Sequence, residues 1–309
     1  MHKYILKRFL MLIPVLLGVV FIMFCLQEVT PGDPAIIILG EAAHPDDVAQ
    51  LRYELGLDNP FLVRFGTYVF NMVQGDFGLG WSRRRLPVFE EIITRFPNTL
   101  RLASIGVGFA LLMGIPLGIL SATKQYTIFD TGATFLALIG VSIPNFWLGL
   151  LLMMLFTMTL GWFPASGFDT WQQHVMPVIA IGTGAAALVM RMTRSSMLEA
   201  LRQDYIRTAR AKGQVERLVI FRHALRNALI PVTTTAGLSF GFLLGGAVLA
   251  ETVFAINGVG RFMVDAIMTR DWPIAIGGVT LIAVSFSLVN LFVDILYAFL
   301  DPRIRSQYR

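Results

Sequence analysis

Long apolar runs separated by shorter polar stretches dominate the sequence. A helix needs roughly 20 residues to cross a hydrocarbon core of ~30 Å, and six of the runs are long enough or nearly so. These runs cover residues 9–28, 99–121, 132–160, 175–191, 230–250 and 277–300. The pattern predicts an all-α integral membrane protein with about six transmembrane helices.

Two of these runs depart from a simple straight helix. The run 132–160 is long for one crossing and contains Ser142-Ile-Pro-Asn145. We expect a kinked or tilted helix there, since two separate crossings would each be too short for lipid. The run 175–191 is marginal in length, and its small residues favour a buried position. Pro177 and Pro231 are expected near the starts of their helices, where a missing N–H costs little.

Composition agrees with a membrane protein. Of the 309 residues, 55% are hydrophobic and 15% are charged, which leaves too few polar side chains to cover a soluble globule. The basic residues behind the net charge of +5 lie among apolar runs, as is typical of membrane orientation rather than nucleic-acid binding. Lys3, Lys7 and Arg8 precede the first run, which lacks a small-x-small cleavage site, so we expect a retained helix.

The distribution of basic residues predicts an orientation. With the amino terminus in the cytoplasm, nine basic residues between Arg191 and Arg226 lie inside, whereas the short outer loops hold Arg261 and Arg270. Both termini are then cytoplasmic. The chain divides into a first transmembrane helix (1–28), an extracytoplasmic cap (29–98), a transmembrane core (99–300) and a cytoplasmic tail (301–309). The arginine run 83–85 in the cap is expected to be a solvated loop.

The sequence carries no familiar catalytic motif. It contains no G-x-x-x-x-G-K-[ST] phosphate loop, no H-E-x-x-H and no G-x-S-x-G, and Cys25 is its single cysteine. His2, His44, His174 and His223 are scattered, and each is expected at a surface or interface rather than in a shared metal site. We therefore predict a chain that is not an enzyme and that itself holds no cofactor or metal.

Few polar groups fall inside the apolar runs. Asp294 is the clearest ionisable group, and we expect either a pair with an arginine such as Arg303 or a part in transport chemistry. Four uncharged polar residues are candidates to line a path for a hydrophilic solute: Ser142, Asn145, Thr234 and Ser239. Hydrogen bonds between helices account for these four residues almost as well.

The segment 191–229 gives the strongest indication of function. Its nine basic and three acidic residues exceed what orientation of the helices requires. Apolar residues recur at helical spacing before and after Gly213, which predicts two short amphipathic helices hinged at that glycine. Such helices can bury their apolar sides on the bundle, on lipid or on another protein.

Two motifs in this segment, and several elsewhere in the chain, resemble motifs of a single protein family. The two are Asp204-Tyr-Ile-Arg-Thr-Ala-Arg-Ala-Lys-Gly213 and His223-Ala-Leu-Arg-Asn-Ala-Leu-Ile-Pro231. The others are Leu6-Lys-Arg-Phe9, Pro31-Gly-Asp-Pro34, Gly75-Asp-Phe-Gly78, Phe146-Trp-Leu-Gly149, Arg194-Ser-Ser-Met197, Gly258-Val-Gly260 and Asp301-Pro-Arg-Ile304. Together they resemble the permease subunits of ATP-binding-cassette (ABC) importers of the peptide and nickel class. Aligned on Gly213, the general motif E-A-A-x-x-x-G keeps only its second alanine, at Ala209.

The resemblance implies a type I ABC importer permease fold with an extracytoplasmic insertion after the first helix. It implies a bacterial inner-membrane subunit that forms half of a pathway for di- or oligopeptides; nickel-chelate and glutathione importers look similar. The implied partners are a second homologous permease, two ATP-binding subunits that hold ATP and magnesium, an extracytoplasmic solute-binding protein and membrane lipid. The residues implied to couple to the ATPase are Asp204, Tyr205, Arg207, Ala209, Lys212, Gly213 and His223.

Two other functional classes remain as rivals. A passive channel or an ion-coupled carrier needs no ATPase, although the spans lack the series of carboxylates that a proton-coupled carrier uses. An intramembrane protease is disfavoured because the spans contain no serine and histidine pair and no pair of aspartates. The simplest alternative to a coupling role is a basic loop that only fixes topology.

Overall fold

Helices, most of them long and apolar, make up nearly all of the protein. The computed structural model describes residues 2–82 and 85–300, with side chains over 8–82 and 85–296. The helices are α1 His2–Val29, α2 Pro34–Leu39, α3 Pro45–Glu54, α4 Phe61–Val73, α5 Val88–Thr123, α6 Ile128–Ser142, α7 Asn145–Leu152, α8 Trp171–Leu201, α9 Asp204–Ala211, α10 Glu216–Leu218, α11 Leu225–Val253, α12 Val259–Met268 and α13 Trp272–Leu300. Two π-helical segments, Met153–Thr159 and Val219–Ala224, continue α7 and join α10 to α11.

Five helical stretches are each long and apolar enough to cross a membrane. They are α1, α5, α8, the continuous helix from α10 through α11, and α13. A sixth stretch, α6 with α7 and its π segment, is bent by 101° at residues 143–144. Ile143 is extended and Pro144 has no N–H to donate, so the helix stops and restarts there, as the sequence predicts.

The bent stretch takes the chain across the bundle once. Before it, Asp130 is hydrogen-bonded to Ser121 near the end of α5. After it, at the opposite end of the bundle, the N–H of Gly167 donates to the carbonyl of Phe254, 3.1 Å away. The stretch therefore passes along the bundle once rather than twice, and counting it as one span brings the candidate crossings among the described residues to six, the number that the sequence predicts.

The two ends of the bundle differ. We call the end that carries residues 30–82, 85–87 and 254–271 the cap end, and the end that carries residues 124–127 and 202–215 the loop end. In the carboxyl-terminal part of α13, Asp294 pairs with Arg8 of α1 at 3.1 Å. The expected partner, Arg303, lies outside the described residues with the rest of the tail 301–309.

The centre of the bundle is built from α5, α8 and α11. Glycines let α5 approach α8 closely: a Cβ on Gly114 would lie 2.7 Å from the carbonyl oxygen of Ala186, and one on Gly118 would lie 2.8 Å from that of Met190. Small residues permit such contact between backbones in membranes, where packing drives helix association. Most of the apolar stretch of α8 is buried, which confirms the predicted buried position.

The ends of several helices differ from the prediction. The second crossing begins at Val88 rather than near 99, and the fourth runs over Trp171–Leu201 rather than over 175–191. Pro177 and Pro231 lie inside α8 and α11 rather than near helix starts. Transmembrane helices continue past the hydrocarbon into polar sequence, and a membrane bundle tolerates an internal proline.

The described residues between α1 and α5 form an ordered cap. Ala35, Ile38, Leu51 and Trp81 make its small core, against which Trp272 packs. The cap is fastened to the start of α13 by Asp271, whose carboxylate accepts hydrogen bonds from the backbone N–H groups of Trp81 and Ser82 at 2.9 and 3.0 Å. Burial raises the pKa of the Asp271 carboxyl, while these hydrogen bonds oppose that rise. Arg83 and Arg84 of the predicted solvated run lie outside the described residues.

Candidate functional site

The predicted coupling helix, α9, lies at the loop end with one side fixed to the bundle. Its buried residues, Ile206 and Ala209, pack in a cluster with Met197 of α8 and with Val219 and Ala224 of the next helix. Burial of this side holds the short helix in place, since a helix of eight residues is not stable alone. The remaining sides of α9 face outward.

The outward sides carry charge. The side chains of Asp204 and Arg207 are 96% and 77% exposed and lie 3.5 Å apart, and Lys212 is exposed just beyond the helix. Among the predicted coupling residues, Ala209 is instead buried in the chain's own core. α9 thus presents a charged, solvent-facing surface, and Ala209 on its opposite side packs the helix onto the bundle.

Gly213 ends α9 with a Schellman motif. Its φ is +75°, the N–H of Gly213 donates to the carbonyl of Arg210 at 2.9 Å, and the N–H of Gln214 donates to that of Ala209 at 3.3 Å. A left-handed residue one position past the helix favours glycine because a side chain there is strained. A Cβ on Gly213 would meet no atom within 4 Å, so the positive φ, and not a lack of space, is what favours glycine at this position.

Three side-chain pairs join α9 and its turn to the helix that follows. They are Arg210 with Glu216 at 2.6 Å, the Tyr205 hydroxyl with Asn227 at 2.9 Å, and the His223 ring with Gln214 at 2.7 Å. Tyr205 and His223, both predicted to contact the ATPase, therefore also hold the loop together. These links, together with the shared apolar cluster, tie α9 to residues 212–228.

The prediction of two short helices hinged at Gly213 is half right. The first helix is α9, but the second is the start of a continuous helix that runs from Glu216 through the π segment to Val253. The segment that follows α9 is therefore the first part of a membrane-crossing helix. π-helical turns are uncommon and often lie at functional sites, and this one lies beside the pairs that tie α9 down.

A buried ion pair at the loop end was missed by the sequence analysis. The guanidinium of Arg194 on α8 donates through Nε and Nη2 to both carboxylate oxygens of Asp130 on α6, at 2.8 and 2.9 Å. Ser121 of α5 donates to the same carboxylate, as does the N–H of Tyr126 at 3.0 Å. The pair ties α5, α6 and α8 together, and α8 leads directly into α9. Arg194 stands in a quoted family motif, but nothing nearby in the sequence points to Asp130.

A buried carboxylate near the cap end was also missed. Asp294 is not the clearest ionisable group in the crossing helices, because Glu251 of α11 is fully buried. Its carboxylate accepts from the Thr99 hydroxyl at 2.6 Å and from the N–H of Arg261 at 3.0 Å, and the N–H of Val259 donates to the same hydroxyl. These bonds satisfy N–H groups in the first turn of α12 that have no partner within that helix. Glu251 therefore fixes α12 against α5 and α11.

The predicted path residues fall into two pairs. Ser142 and Asn145 flank the bend after α6, while Thr234 and Ser239 lie on α11. The hydroxyls of Ser142 and Thr234 donate to carbonyls of their own helices, at 2.8 and 3.4 Å, and Ser239 is buried. Among the described residues no hydrogen bond joins one pair to the other, so a lining role stays a prediction. His174, expected at a surface or interface, is buried beside Phe168.

The whole chain matches known membrane transport proteins. Residues 114–306 match the family described as binding-protein-dependent transport system inner membrane component, and residues 1–103 match its N-terminal region. The chain is 44% identical to the dipeptide transport system permease protein DppB of Alkalihalophilus pseudofirmus, over 99% of this chain and 100% of that protein. It is 45% identical to the glutathione transport system permease protein GsiC of Salmonella choleraesuis, over 99% of both.

Solved structures share the fold at lower identity. An inward-facing structure of the MetNI methionine ABC transporter matches with a TM-score of 0.55 and 18% identity, over 68% of this chain and 96% of that chain. An amino acid ABC transporter matches with a TM-score of 0.52 and 17% identity, over 69% and 94%. The predicted fold of an ABC importer permease is confirmed.

Proposed function

Because the chain belongs to the family of binding-protein-dependent transport system inner membrane components, we propose that it forms half of a translocation pathway for short peptides. It is a permease subunit of an ABC importer, a class that works with an ATPase and a substrate-binding protein. The other half of the pathway comes from a second homologous permease. Two ATPase subunits hold the ATP and magnesium, and this chain is not the catalyst.

The names of two relatives support short peptides as the substrate of this chain. The named solutes of DppB and GsiC are a dipeptide and glutathione, and glutathione is itself a tripeptide. Both proteins align with this chain from end to end. We therefore propose a substrate with a peptide backbone and two to a few residues, with glutathione as the specific alternative to a dipeptide.

The observation that carries the proposal is the placement of α9. One side is buried with Ile206 and Ala209, the other is charged and solvent-facing, and the segment tied to α9 continues into α11. In the proposed mechanism this surface sits on an ATPase subunit and moves with it when ATP binds. The ATPase must then bind α9 differently in the inward-open and outward-open states, since equal affinity would shift no equilibrium.

Reconstitution tests the proposed function. Vesicles that contain this chain, the second permease, the ATPases and the binding protein should accumulate a radiolabelled dipeptide such as alanyl-phenylalanine, or glutathione, only when ATP is supplied on the ATPase side. Vesicles with any one subunit left out are the controls. Accumulation against a gradient by this chain alone, without ATP, would overturn the proposal in favour of an independent carrier.

Labelling of introduced cysteines tests the proposed orientation, in which the loop end is cytoplasmic. In a Cys25→Ser background, Tyr53→Cys places a thiol on the cap, where the native side chain is 82% exposed, and Lys212→Cys places one beside α9. A membrane-impermeant maleimide should label position 53 in intact spheroplasts and position 212 only after lysis. Labelling of position 212 in intact spheroplasts would reverse the orientation.

A further inference from the structure

α4 packs on the membrane-crossing helices and not on the small core of the cap. Its Phe61 and Phe65 rings meet Phe21 of α1 edge-to-face, with ring centroids 5.8 and 5.3 Å apart. Both rings also pack in a cluster with Val20 of α1 and Ile276 of α13. Among the described residues, the core of the cap contains none from α4. α4 is therefore attached to the outside of α1 and α13.

The contact with α1 lies below the end of the apolar run of that helix. The run from Phe9 to Leu26 is about 27 Å of helix, close to the hydrocarbon thickness of ~30 Å. Phe21 comes five residues before Leu26, which places it about 7–8 Å inside the run. On α13, Ile276 comes five residues after Asp271, the last charged residue before the apolar stretch. A membrane that covers these two runs therefore reaches the level of α4.

α4 has the length and the polar side of a helix that lies along a membrane surface. Its 13 residues are about 20 Å of helix, too short to cross ~30 Å of hydrocarbon. Interfacial helices bury an apolar side ~5–10 Å deep and turn a polar side towards the headgroups. The polar side here carries Arg64, Thr67 and Asn71, which line a cavity inside the cap. Arg64, the one charged residue of α4, pairs with Glu28 at the end of α1.

The opposite side of α4 is apolar and open. We call it the open face, and it consists of Leu62, Val63, Gly66, Phe70 and Val73. The four large side chains are between 52% and 77% exposed, and no residue of α4 is fully buried. A group of exposed apolar side chains on one side of a helix marks a surface that is covered by something other than water.

We propose that acyl chains of the leaflet at the cap end cover the open face, so that α4 anchors the cap in the membrane. The neighbouring side of α1 is itself lipid-facing, since Ile22 and Leu26 are 59% and 49% exposed. A water-soluble partner would have to enter the hydrocarbon to reach this depth, and the open face lacks the polar rim of protein interfaces. The proposal goes beyond the proposed function and does not depend on the solute.

Spin-label accessibility in lipid nanodiscs tests the proposal. In a Cys25→Ser background of the full chain, a nitroxide at Phe70→Cys is exposed to oxygen, which concentrates in hydrocarbon, and to water-soluble chromium oxalate. Collisions with oxygen should be frequent and those with chromium rare, as at Ile22→Cys on α1. Tyr53→Cys, on the exposed surface of the cap, should show the reverse. Asn71→Cys, adjacent in sequence but on the polar side, is the matched control and should meet oxygen less often than Phe70→Cys.

Each covering of the open face gives its own result. Lipid gives frequent oxygen collisions alone, water gives frequent chromium collisions, and burial against a second copy or a partner subunit makes both rare. Either of the last two results at position 70, in the chain alone or in the assembled transporter, would overturn the proposal. Failure here leaves the proposed function intact, because ATP-driven uptake is not part of the readout.

Photolabelling from the lipid is an independent measurement on the unmodified chain. A phospholipid with a diazirine near the end of its acyl chain should modify the segment 61–73, as found by mass spectrometry of its peptides. Phe70→Asp should reduce this labelling, because a carboxylate in hydrocarbon is costly. Tyr53→Asp, on the surface of the cap, should leave it unchanged. A segment 61–73 that is not labelled would contradict insertion.

Discussion

Replacement of Gly213 by valine is expected to reduce solute uptake about tenfold while ATP hydrolysis by the assembled transporter continues. At φ +75° a β-branched residue is strongly disfavoured, and a left-handed conformation costs an ordinary residue roughly 1–2 kcal/mol. About 1.4 kcal/mol corresponds to a tenfold change in an equilibrium. The chain can relieve this strain by opening the turn, which breaks the bond from Gln214 to Ala209 and displaces the end of α9.

Two variants control for strain and for bulk. Gly161 also has a positive φ, +65°, and open space around its Cβ position, but it lies at the cap end. Gly161→Val should therefore leave coupling between hydrolysis and uptake intact. Gly213→Asn should retain most uptake because asparagine tolerates the left-handed region. Uptake by Gly213→Val equal to that of the unmodified transporter would contradict a mechanical role for this turn.

Replacement of Asp130 by alanine is expected to destabilise the protein by about 3 kcal/mol. This figure is at the low end for breaking a buried pair, because the Arg194 side chain keeps 29% exposure. The loss leaves the guanidinium without its carboxylate and removes the polar tie between α6 and α8, which still pack through Ala137 and Ala187. Thermal unfolding of the purified chain in detergent, followed by circular dichroism, should show a clearly lower midpoint.

An exposed pair and a double variant make this prediction specific. Asp204 is 96% exposed and pairs with Arg207 at 3.5 Å, so Asp204→Ala should leave the midpoint unchanged, as is usual for surface pairs. Adding Arg194→Leu to Asp130→Ala should recover part of the lost stability, because it removes the unpaired charge. If Asp130→Ala unfolds at the same temperature as Asp204→Ala, the buried pair is not a structural tie.

Much of the fold follows from the sequence because the membrane imposes a length on apolar runs. All six crossings and the break at Pro144 were predicted in this way. Helix ends were not, since helices α5 and α8 extend into sequence that is polar enough to look like loop. Val88 and Leu201 lie well outside the apolar runs, and only contacts with the cap and with the loop end explain why the helices reach them.

The candidate site was predictable where its residues are neighbours in sequence. Gly213 and the charged face of α9 stand within one motif. Asp130 and Arg194 are far apart in sequence, and Asp130 lies just before the predicted start of its span. Glu251 likewise lies just past the predicted end of the fifth span. Pairing across helices depends on packing that no local periodicity encodes, so neither buried carboxylate can be predicted from the sequence.

The bend at residues 143–144 has a consequence for how the protein is made. The first limb, Ile128–Ser142, has 15 residues, or about 22 Å of helix, which is shorter than the hydrocarbon core of ~30 Å. The second limb is packed by later sequence, since Gly149 lies against Phe254. During synthesis the third crossing therefore cannot reach its final shape until the ribosome has passed residue 254. In a chain that stops before this residue, the third crossing lacks its packing partner, and such a chain is expected to be degraded.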